Sequence, residues 1–269
     1  MIVRLHGGLA NQMFQYAFGE SISTIREEEV FYNRDYIVPG RGRDYGLDAF
    51  NIEGIKFAQE VQPRFDDCGY YDQRVYDVPR GTTFIGYWQT EKYFSDQETV
   101  RRGFSLKNKP CDKSQGIANA ILRAGNASAF LHVRRGDYAS GGTFEFHGML
   151  AMQYYNEAVA RIRAGYEGAQ FFVFSDDPDW CRANFPGDFV FVDHNKPSIG
   201  SVPGQEHEDI WLMSLCRHGA IANSSFSWWG AWLGDTQPGR LVFAPNRWFT
   251  AANAESRDIV PDRWIKLDN

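Results

Sequence analysis

The chain has 269 residues, of which 43% are hydrophobic and 23% are charged. This balance suits one large or two smaller folded domains, and it excludes a disordered, collagen-like or coiled-coil protein. Lys and Arg total 28 against 34 Asp and Glu, so the formal net charge is −6. An acidic chain without a basic block is a poor candidate for a protein dedicated to binding nucleic acid or a membrane surface.

The cysteines and the chain start bear on the cellular compartment. Cys68, Cys111, Cys181 and Cys216 form no CxxC pair, and the six histidines show no metal-binding spacing. We therefore expect free thiols in a reducing compartment. No signal peptide is visible at the N-terminus, and no apolar run is long enough to cross a bilayer, so the sequence predicts a cytoplasmic protein.

The first third of the chain opens with a clear pattern and then loses it. Residues 2–5 read as a strand that ends at Gly7-Gly8, apolar positions then recur with a helical period, and residues 30–32 read as a second strand. Residues 34–112 are rich in Gly, Asp, Tyr and Arg and show only short periodic pieces. We expect mostly loops there.

From residue 113 onward, short apolar runs alternate with helical patterns. This alternation is typical of an α/β domain in which helices cover both faces of a parallel sheet. A polar stretch with a proline, residues 108–110, suggests a boundary between domains of residues 1–110 and 111–269. The predicted strands of the second domain are residues 129–133, 171–174, 189–192, 220–222 and 241–244.

Polar residues follow the predicted strands of the second domain. The carboxyl ends of parallel strands share one edge of the sheet, and ligands bind in the crevice outside that edge. We therefore expect these clusters to converge, although they are far apart in the sequence. The clusters are Arg134-Arg135-Gly136-Asp137, Ser175-Asp176-Asp177, Asp193-His194-Asn195 and Asn223-Ser224-Ser225.

Arg134 and Arg135 are the sharpest chemical signal among them. A guanidinium stays charged and presents a planar fork of donors that suits phosphate oxygens. An unpaired cation next to a buried strand is costly, so an ion pair with Asp137 is expected to hold one of the two. We expect one arginine to face the ligand and the other to brace the loop.

The segment that starts at Asn223 predicts a second anion-binding element. It follows a strand and opens a helix, where free backbone amides and serine hydroxyls bind anions. Helix capping by a serine is the simpler interpretation, and both can hold. The turn at Gly7-Gly8 has neither the GxGxxG spacing nor the lysine of a P-loop, so it supports no nicotinamide, flavin or ATP-hydrolysing site.

The carboxylates of Asp176, Asp177 and Asp179 raise the question of a metal. Such a cluster can hold Mg²⁺ or Mn²⁺ against a diphosphate. The alternative is that one Asp accepts hydrogen bonds from a base or ribose while cations of the protein neutralise the phosphates. We favour the alternative and expect no metal, because Arg134 and the helix N-terminus already supply positive charge.

Three motifs resemble the bacterial α-1,2-fucosyltransferase family. They are GGLANQMFQYAFG at residues 7–19, HVRRGDY at 132–138 and NSSFSWWGAWL at 223–233. The HxRRxD core is shared with α-1,6- and protein O-fucosyltransferases, whereas the other two strings are more particular to the α-1,2 branch. The resemblance covers most of the chain and is weakest over residues 34–112.

The resemblance implies a fold, a reaction and a set of site residues. The fold is GT-B, with two facing Rossmann-like domains, the first on the acceptor side and the second binding the GDP-sugar. The reaction is metal-independent, inverting transfer of L-fucose from GDP-β-L-fucose to the 2-hydroxyl of a terminal galactoside. Arg134 would bind the pyrophosphate and promote departure of GDP, while Arg135 and Asp137 would brace the motif. The other donor-binding residues would be Asn11, His132, Asp177, Ser224, Ser225 and Phe226.

The general base stays open at this point. A sugar hydroxyl needs a proton acceptor to become a good nucleophile. Glu145 and His147 follow the arginine motif and are the first candidates, with Asp137 and His6 behind them. A phosphate oxygen of the substrate could also take the proton.

Two competing functions remain. One is another GDP-sugar transferase, such as an α-1,6- or protein O-fucosyltransferase. The other is a non-catalytic protein that binds a nucleotide sugar or a glycan, which the 16% of aromatic residues would also suit. Tyr87, Trp88 and Trp248 could stack on a galactoside, although packing in the core is at least as good an explanation for each.

Overall fold

A computed structural model describes residues 1–37, 44–136, 146–195, 204–251 and 254–269. The chain divides into two compact units. The first comprises Met1–Lys109, Pro197–His207 and Glu255–Pro261, and the second comprises Pro110–Lys196, Glu208–Ala254 and Asp262–Asn269.

Two later segments of the chain therefore group with the first unit, whereas the sequence predicts a second domain of residues 111–269. Polar contacts hold one of these segments in place. Asp258 accepts a hydrogen bond from the backbone N–H of Tyr71 at 2.9 Å and pairs with the ammonium of Lys92. Contacts so distant in sequence leave no trace in local composition.

The first unit is built on a four-stranded parallel sheet. Its strands are β1 (Ile2–Arg4), β2 (Phe31–Asn33), β3 (Arg64–Asp66) and β4 (Thr83–Ile85), in the order β2-β1-β4-β3. Helix α1 (Leu9–Arg26) connects β1 to β2, so the predicted strand–turn–helix–strand opening is confirmed. The remaining elements are the 3₁₀ helices Leu47–Ala49, Gln73–Tyr76 and Glu91–Tyr93, and α2 (Gln97–Gly103).

Aromatic residues fill the core of the first unit. Phe18 on α1 stacks on Trp88 with ring centroids 4.1 Å apart and meets Phe84 and Tyr93 edge-on. All four side chains are buried. Aromatic side chains in such stacked and edge-on contacts contribute strongly to the packing of a core.

The second unit contains a six-stranded sheet. Its strands are β5 (Ser128–Val133), β6 (Gln170–Ser175), β7 (Phe189–Val192), β8 (His218–Ala220), β9 (Val242–Pro245) and β10 (Ile265–Leu267). Their order is β10-β9-β8-β5-β6-β7, and every pairing is parallel. This is the Rossmann strand order. The helices are α3 (Asp112–Ala124), α4 (Met152–Gly165), α5 (Pro178–Asn184), α6 (Glu206–Leu215) and α7 (Ser225–Leu233).

The predicted strands agree with the observed ones except around β8. The sequence predicts a strand at 220–222, but the strand that pairs with β5 is His218–Ala220. Gly219 makes this register possible, because a Cβ there would lie 2.0 Å from Cε1 of Phe130. Strand β10 was not predicted.

The cysteines and the helices of the structure bear on its chemistry and on membrane insertion. All four cysteines are free. Across the described ranges, no helix combines the length and the apolar character needed to cross a membrane.

Candidate functional site

The candidate site lies where the strand order of the second sheet reverses. From β5 the chain runs outward to β6 and β7 on one side, and it then returns to place β8 on the other side of β5. Ligands of open parallel sheets bind outside the carboxyl ends of the strands at such a switch point. The segments that leave β5 and β8 therefore flank the candidate site.

Arg134 leaves the end of β5 and pairs with a carboxylate at the end of β6. Its Nε lies 3.1 Å from Oδ2 of Asp176, and the two side chains keep 31% and 24% of their exposure. A partly exposed pair of this kind adds little stability but does orient the guanidinium. Gly136 makes room for it, since a Cβ there would come within 2.8 Å of the same carboxylate oxygen.

Arg135 ties β5 to the loop after β6. Its backbone N–H donates to Oδ1 of Asp176 at 2.8 Å, and its Nε lies 3.2 Å from Oδ2 of Asp177. Its guanidinium also lies 4.0 Å from the ring centroid of Trp180, a cation–π contact. These contacts are those of a residue that braces the loop.

The carboxylates of this loop were missed as partners of the arginines. The sequence predicts Asp137 in that role, and Asp137 lies outside the described residues. Asp177 also begins α5, because its Oδ1 accepts a hydrogen bond from the backbone N–H of Trp180 at 3.2 Å. Its predicted contact with guanine or ribose stays a prediction. Pairing across strands depends on sheet register, which no local spacing reveals.

His132 is a buried, neutral histidine at the end of β5. Burial, and then the charge of Arg134, lower its pKa to about 3. Within the described parts of the chain, its Nδ1 is buried and has no hydrogen-bond partner. Its ring centroid lies 5.6 Å from that of Phe226. An orphaned polar atom at a switch point is a position where a ligand is expected.

The turn from β8 into α7 carries the second half of the site. Ser224 caps the helix, with its Oγ accepting from the backbone N–H of Phe226 at 3.3 Å, and the first turn contains no acidic residue. Ser225 and Phe226 are half-buried. Buried tryptophans at 228, 229 and 232 anchor the helix. Its first turn is thus a fixed, positive end of a helix dipole.

Asn223 links this turn to His147. Its Nδ2 donates to the carbonyl oxygens of His147 at 2.8 Å and Trp248 at 3.1 Å. The half-buried His147 ring packs against Phe146 and Phe249. The structure therefore brings one of the two main candidates for the general base to this switch point, while the other, Glu145, lies outside the described residues.

Asn11 belongs to the first unit, on the first turn of α1. Its Oδ1 accepts from Nε2 of Gln89 at 2.9 Å. Glycine is favoured at position 7 because φ is +80°, a conformation that other L-residues rarely adopt, and a Cβ there would also lie 2.6 Å from Nδ2 of Asn11. The structure therefore fixes Asn11 at the carboxyl edge of the first sheet.

The possible metal cluster does not form among the residues that the structure describes. No group of three or more His, Cys, Asp or Glu side chains converges in that part of the chain. Asp176 and Asp177 are engaged by the two arginines instead.

Comparison with known proteins places the chain in a family. The model of glycosyl transferase family 11 matches residues 57–268. The chain belongs to glycosyl transferase family 11. This family 11 member is 30% identical to an α-1,2-colitosyltransferase of Escherichia coli, over 100% of the chain and 99% of the relative. It is 27% identical to the O-antigen biosynthesis glycosyltransferase WbnK of Escherichia coli, over 98% and 99%.

Solved structures support the fold of this glycosyltransferase. NodZ, an α-1,6-fucosyltransferase soaked with GDP-fucose, aligns with a TM-score of 0.52 over 86% of the chain and 91% of NodZ, at 15% identity. POFUT1 in complex with GDP aligns with a TM-score of 0.50 over 90% and 97%, at 10% identity. The predicted GT-B fold class is confirmed.

Proposed function

We propose that this family 11 glycosyltransferase moves L-fucose from GDP-β-L-fucose to the 2-hydroxyl of a terminal galactoside. The observation that carries the proposal is the meeting of a fixed guanidinium, Arg134, and a helix N-terminus, Ser225–Leu233, at one switch point. That pair of features suits a diphosphate. The α-1,2 linkage in the name of the Escherichia coli colitosyltransferase, and the GDP-fucose soaked into NodZ, support the choice of linkage and donor.

The reaction is a single displacement at the anomeric carbon. The acceptor oxygen forms a bond to C1 on the face opposite the diphosphate, the bond from C1 to the phosphate oxygen breaks, and GDP leaves with the electron pair. Negative charge grows on the leaving phosphate, so Arg134 and the first amides of α7 stabilise the transition state more than the ground state.

His132 contributes a neutral hydrogen-bonding group in this scheme. Because its pKa is held near 3, the imidazole carries no charge at neutral pH. It can therefore donate one N–H to a phosphate oxygen without a change of protonation during turnover. The positive charge comes from Arg134 and the helix, and we propose that no divalent ion is needed.

The proton of the acceptor hydroxyl needs a separate group. His147 is held at the switch point through its carbonyl oxygen, and Glu145 lies two residues before it in the sequence. We assign the base to this segment. Loss of turnover with an unchanged Kd for GDP, in Glu145→Gln or His147→Ala, identifies which of the two acts.

Colitose is a second candidate for the transferred sugar, favoured by the relative that matches the whole chain. Colitose is L-fucose without one ring hydroxyl. A site that hydrogen-bonds this hydroxyl discriminates strongly against the sugar that lacks it, whereas an apolar site discriminates weakly. Comparing kcat/KM for GDP-fucose and GDP-colitose therefore decides between the two.

The experiment uses the purified chain with GDP-fucose and lactose, N-acetyllactosamine or lacto-N-biose. We expect acceptor-dependent release of GDP, unchanged by EDTA, and an α-1,2-linked product by NMR. A different linkage favours another GDP-sugar transferase. Binding of GDP-fucose without release of GDP under any condition favours a non-catalytic binding protein and contradicts the proposal.

A further inference from the structure

The first unit has a switch point of its own that the mechanism above does not use. Its strand order, β2-β1-β4-β3, places β2 on one side of β1 and β4 on the other. The segments that leave the carboxyl ends of β1 and β4 therefore lie next to each other. They carry His6 and Tyr87, whose ring centroids are 4.6 Å apart.

Tyr87 is the exposed member of the three aromatic residues that the sequence singled out for stacking. Its exposed fraction is 40%, compared with 1% for Trp88 and 4% for Trp248. The two tryptophans are core residues. Tyr87 packs against His6 and still remains exposed to solvent.

The backbone around Tyr87 is rigid. Oδ2 of Asp67 accepts hydrogen bonds from the backbone N–H groups of Tyr87 at 3.1 Å and Trp88 at 2.9 Å. Trp88 has φ +55°, which costs a non-glycine residue about 1–3 kcal/mol and persists only when the surroundings enforce it. Its stacking on Phe18 supplies that enforcement.

Gly86 is required for the same loop. A Cβ at this position would lie 2.0 Å from Cβ of Asp67. The glycine therefore lets the Asp67 carboxylate reach the two backbone N–H groups. Backbone strain combined with close approach is typical of residues that must be presented in one orientation.

The orientation of the Gln15 amide is fixed by two backbone groups. Its Oε1 accepts from the backbone N–H of His6, and its Nε2 donates to the carbonyl of Gly86, both at 3.0 Å. In the flipped orientation the amide N–H would face the backbone N–H of His6, and the amide oxygen would face the carbonyl oxygen of Gly86. The side chain is fully buried, so water cannot substitute for these partners.

Gln15 in turn fixes the tautomer of His6. The same Nε2 lies 3.0 Å from Nδ1 of His6 and can only donate to it. Nδ1 is then the acceptor, and the ring proton of the neutral imidazole is on Nε2. Burial and the charge of Arg4 lower the pKa of His6, which favours this neutral form. His6 thus presents an N–H donor, which argues against its role as the general base.

We propose that Tyr87 and His6 form the subsite that binds the galactose ring of the acceptor, with the sugar packed against the solvent-exposed part of Tyr87 beside His6 and one hydroxyl accepting a hydrogen bond from Nε2–H of His6. This inference rests on the proposed function and deepens it. One face of galactopyranose presents mainly C–H groups, which match an aromatic ring, and its hydroxyls match a neutral donor. Apolar surface with a few convergent polar groups is the usual character of a small-molecule site.

The test compares Tyr87→Leu, Tyr87→Phe and His6→Phe, using the best acceptor of the three disaccharides. Tyr87→Leu is expected to raise the acceptor KM about tenfold, because the stacking ring is lost. Tyr87→Phe should keep the wild-type KM. His6→Phe keeps a ring against Tyr87 but removes the donor, and its acceptor KM is expected to rise about fivefold.

Two further readouts separate this inference from the proposed function. The Kd for GDP and the slow hydrolysis of GDP-fucose without acceptor should not change in any of these variants. Ile25→Ala is the control, since Ile25 is an exposed apolar residue of the same unit near the far end of α1, and it should match the wild type throughout.

Several results overturn the inference. If Tyr87→Leu leaves the acceptor KM unchanged while wild type transfers fucose, the subsite is elsewhere and the proposed function stands. If the variants weaken GDP or GDP-fucose binding instead, the pair belongs to the donor site. If wild type transfers no sugar to any acceptor, both proposals fail together.

Discussion

The switch points of the two sheets differ in the chemical character of the residues that they present. After β5, β6 and β8, the second unit presents two arginines, the two aspartates that pair with them and the N-terminus of a helix. After β1 and β4, the first unit presents an amide-anchored histidine and an exposed tyrosine. The same topology therefore places charged side chains at one switch point and two neutral rings, of His6 and Tyr87, at the other.

This difference follows the needs of a transferase for a nucleotide sugar. A diphosphate requires fixed cations and amides, whereas a sugar ring requires an aromatic face and neutral hydrogen bonds. Each switch point also contains one buried or half-buried histidine whose pKa is lowered, His132 in the second unit and His6 in the first. Neither histidine adds a charge at neutral pH. The difference between the two switch points therefore depends most on Arg134, the cation assigned to the diphosphate.

The largest expected effect is that of Arg134→Ala. Loss of a fixed donor at the leaving group typically costs about 10²–10³ in rate, and we expect that drop in kcat. The matched control is Arg182→Ala, which removes an exposed arginine of the same unit that pairs with Asp179 and Asp193. It should keep the wild-type kcat. Near-normal turnover of folded Arg134→Ala would contradict the proposal that Arg134 binds the diphosphate.

Gly86→Ala tests the rigidity of the switch point in the first unit. The new methyl collides with Asp67, so we expect a loss of about 1–3 kcal/mol in the free energy of unfolding, measured in urea. Gly103→Ala is the control, because a Cβ there meets no atom within 4 Å. Its stability should equal or exceed that of the wild type. Equal stability of the two variants would mean that the loop tolerates a shift.

Two substitutions of Ser224 distinguish a role in helix capping from a role in anion binding. Ser224→Ala should cost about 0.5–2 kcal/mol of stability through loss of the cap. Ser224→Asp keeps a capping oxygen but adds a negative charge where the phosphate is expected. We therefore expect near-wild-type unfolding of Ser224→Asp with a clearly higher Kd for GDP by calorimetry. An unchanged Kd would place the diphosphate away from this helix.

The smallest expected effect near neutral pH is a pH dependence of the free energy of unfolding that comes from buried histidines. Burial lowers the pKa of His132 to about 3 and that of His218 to about 4, so the unfolded chain takes up protons below pH 6.5 that the folded chain refuses. The free energy of unfolding should fall as the pH drops from 6.5 toward 3. Urea titrations of His132→Gln should show a shallower fall. An unchanged slope would mean that His132 is accessible to protons.

Much of the second unit was predictable because its central strands β5 and β6 are buried on both faces. Continuous apolar runs mark β5, β6 and β7, and the polar residues that follow them mark the edge. His218 and Gly219 are not an apolar run, so the predicted β8 was displaced by two residues. Asp176 escaped notice as the partner of Arg134, because the register of β5 on β6 decides that contact.

Much of the first unit was beyond sequence analysis for a different reason. Its strands β3 and β4 are three residues long, too short for a periodic pattern to register. Polar contacts between residues distant in sequence hold the loops. One example is the Asp67 carboxylate, which follows β3 and accepts hydrogen bonds from backbone N–H groups of the loop after β4. The sequence named Tyr87 and Trp88 together as stacking candidates. The positive φ of Trp88, which separates their environments, has no local signature.

The most direct test of the central claim is a crystal structure with GDP bound. We expect the diphosphate oxygens within hydrogen-bonding distance of the Arg134 guanidinium and of backbone N–H groups in the first turn of Ser225–Leu233. His132 should line the same pocket. A diphosphate bound elsewhere, with Arg134 still paired only to protein groups, would contradict the account.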